Sequence, residues 1–327
     1  MITHKQRIQA SMNGEVIDRP PVALWRHFPV DDQSPGTLAQ ATLHFQKIYD
    51  FDLVKVTPAS SFCLKDWGVE DEWRGHTEGT RQYTRRVIHR PQDWERLPVL
   101  DPASRHLAAQ LDCLRLIRAE LDAETPLLQT VFSPLAQAKN LAGNETLLAH
   151  LRLHPEAVMK GLAVIAETTR RFLEACLETG IDGVFYAVQH AQASLLTLDE
   201  YKTFGLPNDL KSLEAAQGLW CNLLHLHGQD VYFSLLSTLR FPIVNWHDRE
   251  TRPSLTEAQE QFDGVVCGGM RQDTLVYGDQ VEVQKEAGDA LRQTRGKRFL
   301  LGTGCVVPVI AAHGNLLAAR QAVEGAG

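Results

Sequence analysis

Short apolar runs rich in β-branched residues recur along the chain, separated by longer stretches in which apolar positions return at helical spacing. Eight such runs are found, at 20–25, 52–57, 126–131, 182–187, 219–226, 241–246, 262–267 and 298–303. Between the third and fourth, Val158, Leu162, Ile165 and Phe172 mark one face of a helix that opens at Pro155 and is closed by Gly180 before the next strand. Thr197 with Glu200, and Ser254 with Glu257, have the spacing of capping boxes that start further helices. Eight strands alternating with helices predict an α/β protein, a (β/α)8 TIM barrel, for which 327 residues is a comfortable length.

One segment breaks the repeat. Residues 60–101 are too long for a bare strand-to-helix loop. They carry the alternating stretch 82–88 with Trp67 and Trp73 nearby, which predicts a β-hairpin. An insertion after strand two would stand over the barrel mouth, to shape a pocket there or to serve as a packing flap or subunit contact. With no internal repeat, linker or low-complexity tract, residues 1–327 read as a single domain.

Composition narrows the class. Hydrophobic content of 44% and charged content of 22% are those of a soluble globular enzyme. A net charge of −7 argues against nucleic acid or an anionic membrane as partner. No apolar stretch has the length of a membrane span, and the polar opening lacks a secretion signal. Six scattered cysteines form no short-spaced pair, the usage of a reducing compartment, so a cytoplasmic location is expected.

In a barrel of this kind chemistry gathers at the carboxyl ends of the strands. Those positions hold Arg26 and His27, Ser133 and Gln137, Gln189 and His190, His225 and His227, His247 and Asp248, Met270, and Cys305. Five of the thirteen histidines fall on this rim, which marks it for attention. His225 and His227 are two apart on a strand and so share a face. With Cys305 in a glycine turn they make a candidate His2Cys zinc site with a position open for substrate. The alternative is two hydrogen-bonded histidines in a polar pocket and a buried structural cysteine. Arg26 is a candidate clamp for a carboxylate and His247 a candidate general acid/base, whose neighbour Asp248 must face the other way. Tyr186 is a candidate hydrogen-bond donor to substrate; with His27, Gln137, Gln189, His190 and Met270 it completes the expected substrate contacts. No nucleophile elbow, phosphate loop or dinucleotide fingerprint is present.

The order of several segments resembles the uroporphyrinogen decarboxylase superfamily over nearly the whole chain. These are Asp18-Arg-Pro-Pro-Val22, Glu178-Thr-Gly-Ile-Asp-Gly-Val184, Leu198-Asp-Glu-Tyr-Lys-Thr-Phe204, Leu301-Gly-Thr-Gly-Cys-Val-Val-Pro308 and Asn315-Leu-Leu-Ala-Ala-Arg-Gln-Ala-Val323. The resemblance implies a distorted, often dimeric (β/α)8 barrel and one of two chemistries. Uroporphyrinogen decarboxylases use an arginine-rich turn after strand one and an aspartate after strand two to grip a tetrapyrrole without a cofactor. Here Arg26-His-Phe-Pro-Val30 keeps one arginine and Lys55-Val-Thr-Pro-Ala59 has no aspartate. Losing several charge-assisted contacts of about 1.5–3 kcal/mol each disfavours an octa-anion. Cobamide-dependent methyltransferases of the same superfamily bind zinc through a His-x-Cys pair after strand five and a cysteine after strand eight. His225, His227 and Cys305 match those positions, with histidine in place of the first cysteine.

The sequence therefore predicts a zinc enzyme that moves a methyl or small alkyl group between a corrinoid, or similar donor, and a thiol. A small-molecule substrate, a corrinoid protein partner and a homodimer are the expected associations. The alternatives are a metal-independent decarboxylase of a uroporphyrinogen-like or smaller carboxylate and a non-catalytic barrel that binds a corrinoid or other small molecule.

Overall fold

A computed structural model of the protein describes residues 2–324. Seven strands form a curled parallel sheet in the order β1 (Val54–Val56), β4 (Leu127–Phe132), β5 (Gly183–Val188), β6 (Leu223–Leu226), β7 (Ile243–Trp246), β8 (Val265–Met270) and β9 (Phe299–Thr303). The two strands missing from that order, β2 (Glu70–Glu72) and β3 (Gln82–Arg85), pair antiparallel as a separate hairpin. Every residue of the seven sheet strands is buried, so each run is apolar almost throughout, as a sheet covered on both faces requires.

The first expected strand, 20–25, is the exception. It makes one isolated parallel bridge, Val22 to Leu301, rather than a ladder. Its backbone still reaches β9 and the residues leading into β1: Ala23 N donates to Leu301 O (2.9 Å), Leu301 N to Pro21 O (2.9 Å) and Asp52 N to Val22 O (2.8 Å). Pro20 and Pro21 lack the N–H groups that a longer ladder needs, which is why regular pairing stops there.

The helices follow their sequence signals. Pro155–Leu177 buries Val158, Leu162, Ile165 and Phe172 on one face, and Gly180 takes a left-handed φ of 78° just before β5. Both capping boxes form, at Thr197 and at Ser254. The segment joining β2 to β3 lies against the loop after β9 and the helix start after β8: Val309 N donates to Thr77 O (2.7 Å) and Gln272 Nε2 to Glu78 Oε1 (3.0 Å). Gly79 in that segment has φ +78°, and a Cβ there would stand 2.5 Å from His27 Cβ, so the connection is pressed onto the first βα loop. Among the described residues no helix is long and apolar enough to cross a membrane.

Below the strands, Asp52 is a buried junction. Its carboxylate accepts from Arg7 Nη1 (2.7 Å), Arg19 Nη1 (2.6 Å) and Val22 N (2.8 Å), and lies 2.9 Å from His4 Nδ1. The opening helix, the 20–25 segment and the approach to β1 are thereby tied together. Burial alone would raise the Asp52 pKa; the hydrogen bonds from His4, Arg19 and Val22 N overcome it and hold the group at about 2, against an ordinary 3.8. A carboxylate depressed in the fold contributes stability above its unfolded value and loses it as the pH falls through the folded one. Stability is therefore expected to decline between about pH 4 and pH 2 through this group. Asp52→Asn strips one side of a buried charge network and should cost about 3–5 kcal/mol at neutral pH. Urea unfolding of both proteins from pH 7 downward should show the loss at pH 7 and a gap that narrows in acid; an unchanged midpoint would remove Asp52 from this role.

Candidate metal centre

The centre is built from the ends of three strands. On β6, Leu224 and Leu226 face the helix layer while His225 faces the interior, and His227 N continues the ladder by donating to Val188 O (2.9 Å). The parallel register sets Asn245 of β7 beside His225. Asn245 Nδ2 donates to two carbonyls, Cys267 O and Thr303 O, both at 2.9 Å. That leaves Oδ1 as acceptor, so His225 Nδ1 at 2.7 Å must carry a proton, and Nε2 presents its lone pair to the interior. The His225 ring also stacks on Phe185, centroids 5.3 Å apart.

His247 follows β7 on the same parity as Asn245. Its Nδ1 lies 3.4 Å from the Glu250 carboxylate, which leaves Nε2 for the interior. Cys305 arrives on the turn after β9. Gly304 permits the approach, because a Cβ at that position would stand 2.8 Å from His247 Cα. The chain thus brings His225, His227, His247 and Cys305 together, with one ligand atom from each lying within 4.8 Å of the others.

The distances have the scale of a coordination polyhedron. His227 Nδ1 lies 3.4 Å from His225 Nε2, 3.3 Å from His247 Nε2 and 3.7 Å from Cys305 Sγ. Zinc–nitrogen bonds of about 2.0–2.1 Å and zinc–sulfur bonds of about 2.3 Å at tetrahedral angles give ligand separations of about 3.3 and 3.6 Å. Hydrogen bonding explains the cluster less well. One Nδ1 atom faces three neighbours, two of which are already committed as acceptors, so at most one or two of these contacts can be satisfied by protons. The residues present fit a divalent ion of zinc's preferences.

Burial sets the charge state of each of these groups. Burial, reinforced by the neighbouring imidazoles, drives the His225 pKa well below 6.5, and burial with His247 and Lys139 takes His227 to about 3. Burial also lowers His247, with Glu250 opposing. All three imidazoles are therefore neutral, the form that ligates metal. Burial pushes the Cys305 thiol up to about 11, with Glu78 adding to the effect. Asp248 faces away and takes a structural role, accepting from Gly269 N at 3.1 Å with both oxygens.

His225, His227 and Cys305 form part of the wall of a cavity of about 370 Å³ at the carboxyl ends of the strands. Its other walls include Trp25, His27, Phe132, Phe185 and Gln189, and the hairpin segment contributes Glu78, Arg81, Tyr83 and Arg86. Lys55 and Lys139 line it as well. Burial brings Lys55 down to about 7 and Lys139 to about 8. Neither lysine was among the candidate site residues, although a lysine inside the apolar run 52–57 is a signal in itself, since lysine is rarely buried without a partner.

The remaining candidates fall elsewhere. Arg26 lies outside the cavity, its guanidinium over the rings of Phe28 (5.2 Å) and Phe45 (5.7 Å) in a separate surface groove. Gln137 is buried behind β4, donating to Phe132 O and Thr169 Oγ1 at 2.8 Å each. Tyr186 points into the helix layer, where its hydroxyl donates to Asp209 at 2.8 Å beside Tyr201. Met270 is buried and His190 fully so, and neither lines the cavity; no partner for either His190 nitrogen is found among the described residues. His27 and Gln189 do line it, with Gln189 Oε1 accepting from Lys139 at 2.8 Å.

Comparison with known proteins supplies the lineage. Residues 3–325 match the family model described as uroporphyrinogen decarboxylase (URO-D). A uroporphyrinogen decarboxylase of Chloroherpeton thalassium is 26% identical over 253 residues, 72% of this chain and 69% of that protein. In fold, the chain is similar to a methyltransferase from Methanosarcina mazei, with TM-score 0.85, 18% identity and 98% of each chain covered. It is more distantly similar to a B12-independent methionine synthase from Shewanella sp. W3-18-1, with TM-score 0.60, 14% identity and 94% and 92% covered. By the match of its sequence over nearly its full length, the chain belongs to the uroporphyrinogen decarboxylase (URO-D) family.

Proposed function

We propose that this protein is a zinc-dependent transferase that moves a methyl or small alkyl group from a corrinoid, or a similar donor, to the thiol of a small molecule. The observation that carries the reading is the convergence of His225 Nε2, His247 Nε2 and Cys305 Sγ on His227 Nδ1 at tetrahedral spacings. The methyltransferase and methionine synthase names of two proteins of similar fold support it. In the same reading the 20–25 segment serves as the eighth stave of a single-domain barrel, and the hairpin is an insertion that roofs its mouth. A corrinoid protein would then present the donor at that mouth.

His225, His227 and Cys305 would hold the ion, with Asn245 fixing the tautomer and plane of His225. Bound zinc would lower the pKa of a substrate thiol enough to make it nucleophilic at neutral pH. His247, beside those three, would serve as the base: its Nε2 would take the thiol proton while Glu250, 3.4 Å from Nδ1, would steady the resulting imidazolium. The substrate sulfur then bonds to the methyl carbon as the bond from that carbon to the donor breaks. The cavity wall keeps bulk water from the thiolate.

A second reading, decarboxylation of a small carboxylate without metal, draws on the cations of the cavity and on the likeness to the Chloroherpeton decarboxylase. Release of carbon dioxide from pyrrole or aryl carboxylates, indifferent to chelator, would favour it.

Protein produced without a histidine tag in zinc-replete medium should carry about one zinc per chain by elemental analysis. Cys305→Ala should lose it, whereas His247→Gln should keep it and lose turnover with a thiol acceptor. Wild-type protein free of metal would overturn the reading. Asn245→Ala should leave the fold assembled but weaken zinc about 10–100-fold, as second-shell losses do. Competition with a chromophoric chelator measures this; an unchanged affinity would take the Asn245 amide out of the metal centre.

A further inference from the structure

Trp25 and His27 line the cavity, and Arg26 between them points the other way, into a separate surface groove of about 690 Å³. That is a usual volume for a small-molecule site. Its floor is aromatic: Phe28 and Phe45 meet edge to face, centroids 5.8 Å apart, and the Arg26 guanidinium lies over both rings. The helix Pro35–Tyr49 brings Phe45 and, on the same face, the exposed Ile48 to one wall. The metal centre uses none of these residues.

Charge in the groove is unmatched on both sides. Arg26 forms no ion pair among the described residues, its Nε is buried without a hydrogen-bond partner, and its one polar contact is long, Nη1 to Val309 O at 3.5 Å. The carboxylate of Asp31, also on the lining, likewise has neither ion pair nor hydrogen bond among the described residues. The two groups feel each other without touching. Burial works against the Arg26 charge, with Tyr49 and Asp31 opposing it, yet no Asp31 oxygen lies within 4.0 Å of an Arg26 nitrogen. Glu120 adds a second carboxylate without an ion pair among the described residues.

An occupant that answers only one of these charges gains little. A simple anion meets Asp31 and Glu120, a simple cation meets Arg26, and a hydrocarbon leaves the guanidinium without a partner. An α-amino acid carries both charges on one carbon, so its carboxylate and ammonium fit between a guanidinium and a carboxylate that do not pair directly. We propose that the groove is a second ligand site, separate from the metal centre, which binds a free α-amino acid with an apolar side chain. Arg26 takes the carboxylate in the two-pronged geometry that a guanidinium offers, and Asp31 takes the ammonium. The side chain lies along Phe45 and Ile48. The aromatic floor keeps water from the underside of the guanidinium, which strengthens the contact.

Molecules with one carbon skeleton test this by calorimetry on the full chain: L-leucine, 4-methylpentanoate, which lacks the ammonium, and 3-methylbutylamine, which lacks the carboxylate. L-phenylalanine is titrated alongside as a larger side chain. Leucine or phenylalanine should bind, and each single-charge analogue should bind at least about tenfold more weakly than leucine, the worth of one charge-assisted contact. Arg26→Met should weaken the amino acid by about the same factor and leave 3-methylbutylamine unaffected. Asp31→Asn should weaken it too, while bringing 4-methylpentanoate level with leucine. The Asp31 side chain has no polar contact to lose, so this variant keeps the test open should Arg26→Met fail to fold. Treatment with chelator should leave the amino-acid affinity unchanged, which separates the groove from the metal centre. Neither amino acid binding up to about 10 mM, equal affinity for leucine and its two analogues, binding lost with chelator, or affinity indifferent to both substitutions would each overturn the proposal.

Discussion

The side-chain amide of Asn245 is the constraint on which the centre depends. Two carbonyls from two different strands, Cys267 O on β8 and Thr303 O on β9, claim both of its amide hydrogens. Its oxygen therefore has no choice but to accept from His225, and His225 has no choice of tautomer. A single buried side chain thus couples the spacing of β6, β7, β8 and β9 to the direction of one nitrogen lone pair. Moving any of those strands would be felt at the imidazole. In the same way the His247 ring is set from behind by Glu250, whereas His227, at the centre of the cluster, is placed chiefly by its neighbours. Sites assembled from strand ends gain their precision from supporting contacts of this kind rather than from the ligands alone.

The two ends of the sheet treat charge in opposite ways. Two residues separate Asp52 from Lys55. The first is surrounded by His4, Arg7 and Arg19 and is held far down its titration, and its work is to join the chain's opening segments to the sheet. The second has no counter-ion and is held well below the ordinary range of a lysine. A fold that can complete a buried charge so fully at one end has left one incomplete at the other, next to a cavity. Incomplete polar groups concentrate where ligands complete them, and they reduce the stability of the empty protein in proportion.

Much of this was legible in the sequence, for a reason that also explains the errors. Seven of the eight apolar runs became sheet strands because a parallel strand buried on both faces needs little beyond apolar residues and length. The first run failed as a ladder because of Pro20 and Pro21, which the pattern of apolar residues does not register. At the site, parity was the useful signal. It put His225 and His227 on one face, and the same rule sorts the other candidates: Phe185, Ala187 and Gln189 line the cavity, while Tyr186 between them turns to the helices. His247 was read as a spare acid or base, yet it shares parity with Asn245 on the neighbouring strand, and the register carries it to the cluster. Arg26 was chosen for following a strand. Position cannot reveal that Phe28 and Phe45 hold its guanidinium in a different groove. Lys55 escapes notice because the family resemblance calls for an aspartate in that region, and resemblance does not register that a lysine inside an apolar run will be buried.

Size and chemistry together limit what the cavity admits. At about 370 Å³ it lies toward the small end of ligand sites, which run from about 300 to 1,000 Å³. A macrocycle with many carboxylates needs both more room and more arginines than this wall offers, since Arg26 faces elsewhere and Arg81 is already neutralised. What the wall does offer is a soft nitrogen and sulfur cluster at one place and an unmatched ammonium at another, with aromatic surface around them. The hairpin segment that supplies Glu78, Arg81 and Tyr83 to the cavity is also the part of the chain pressed onto the loops after the first and last strands. The lining of the cavity and the packing of those loops therefore depend on the same piece of structure, and neither can be changed there without disturbing the other.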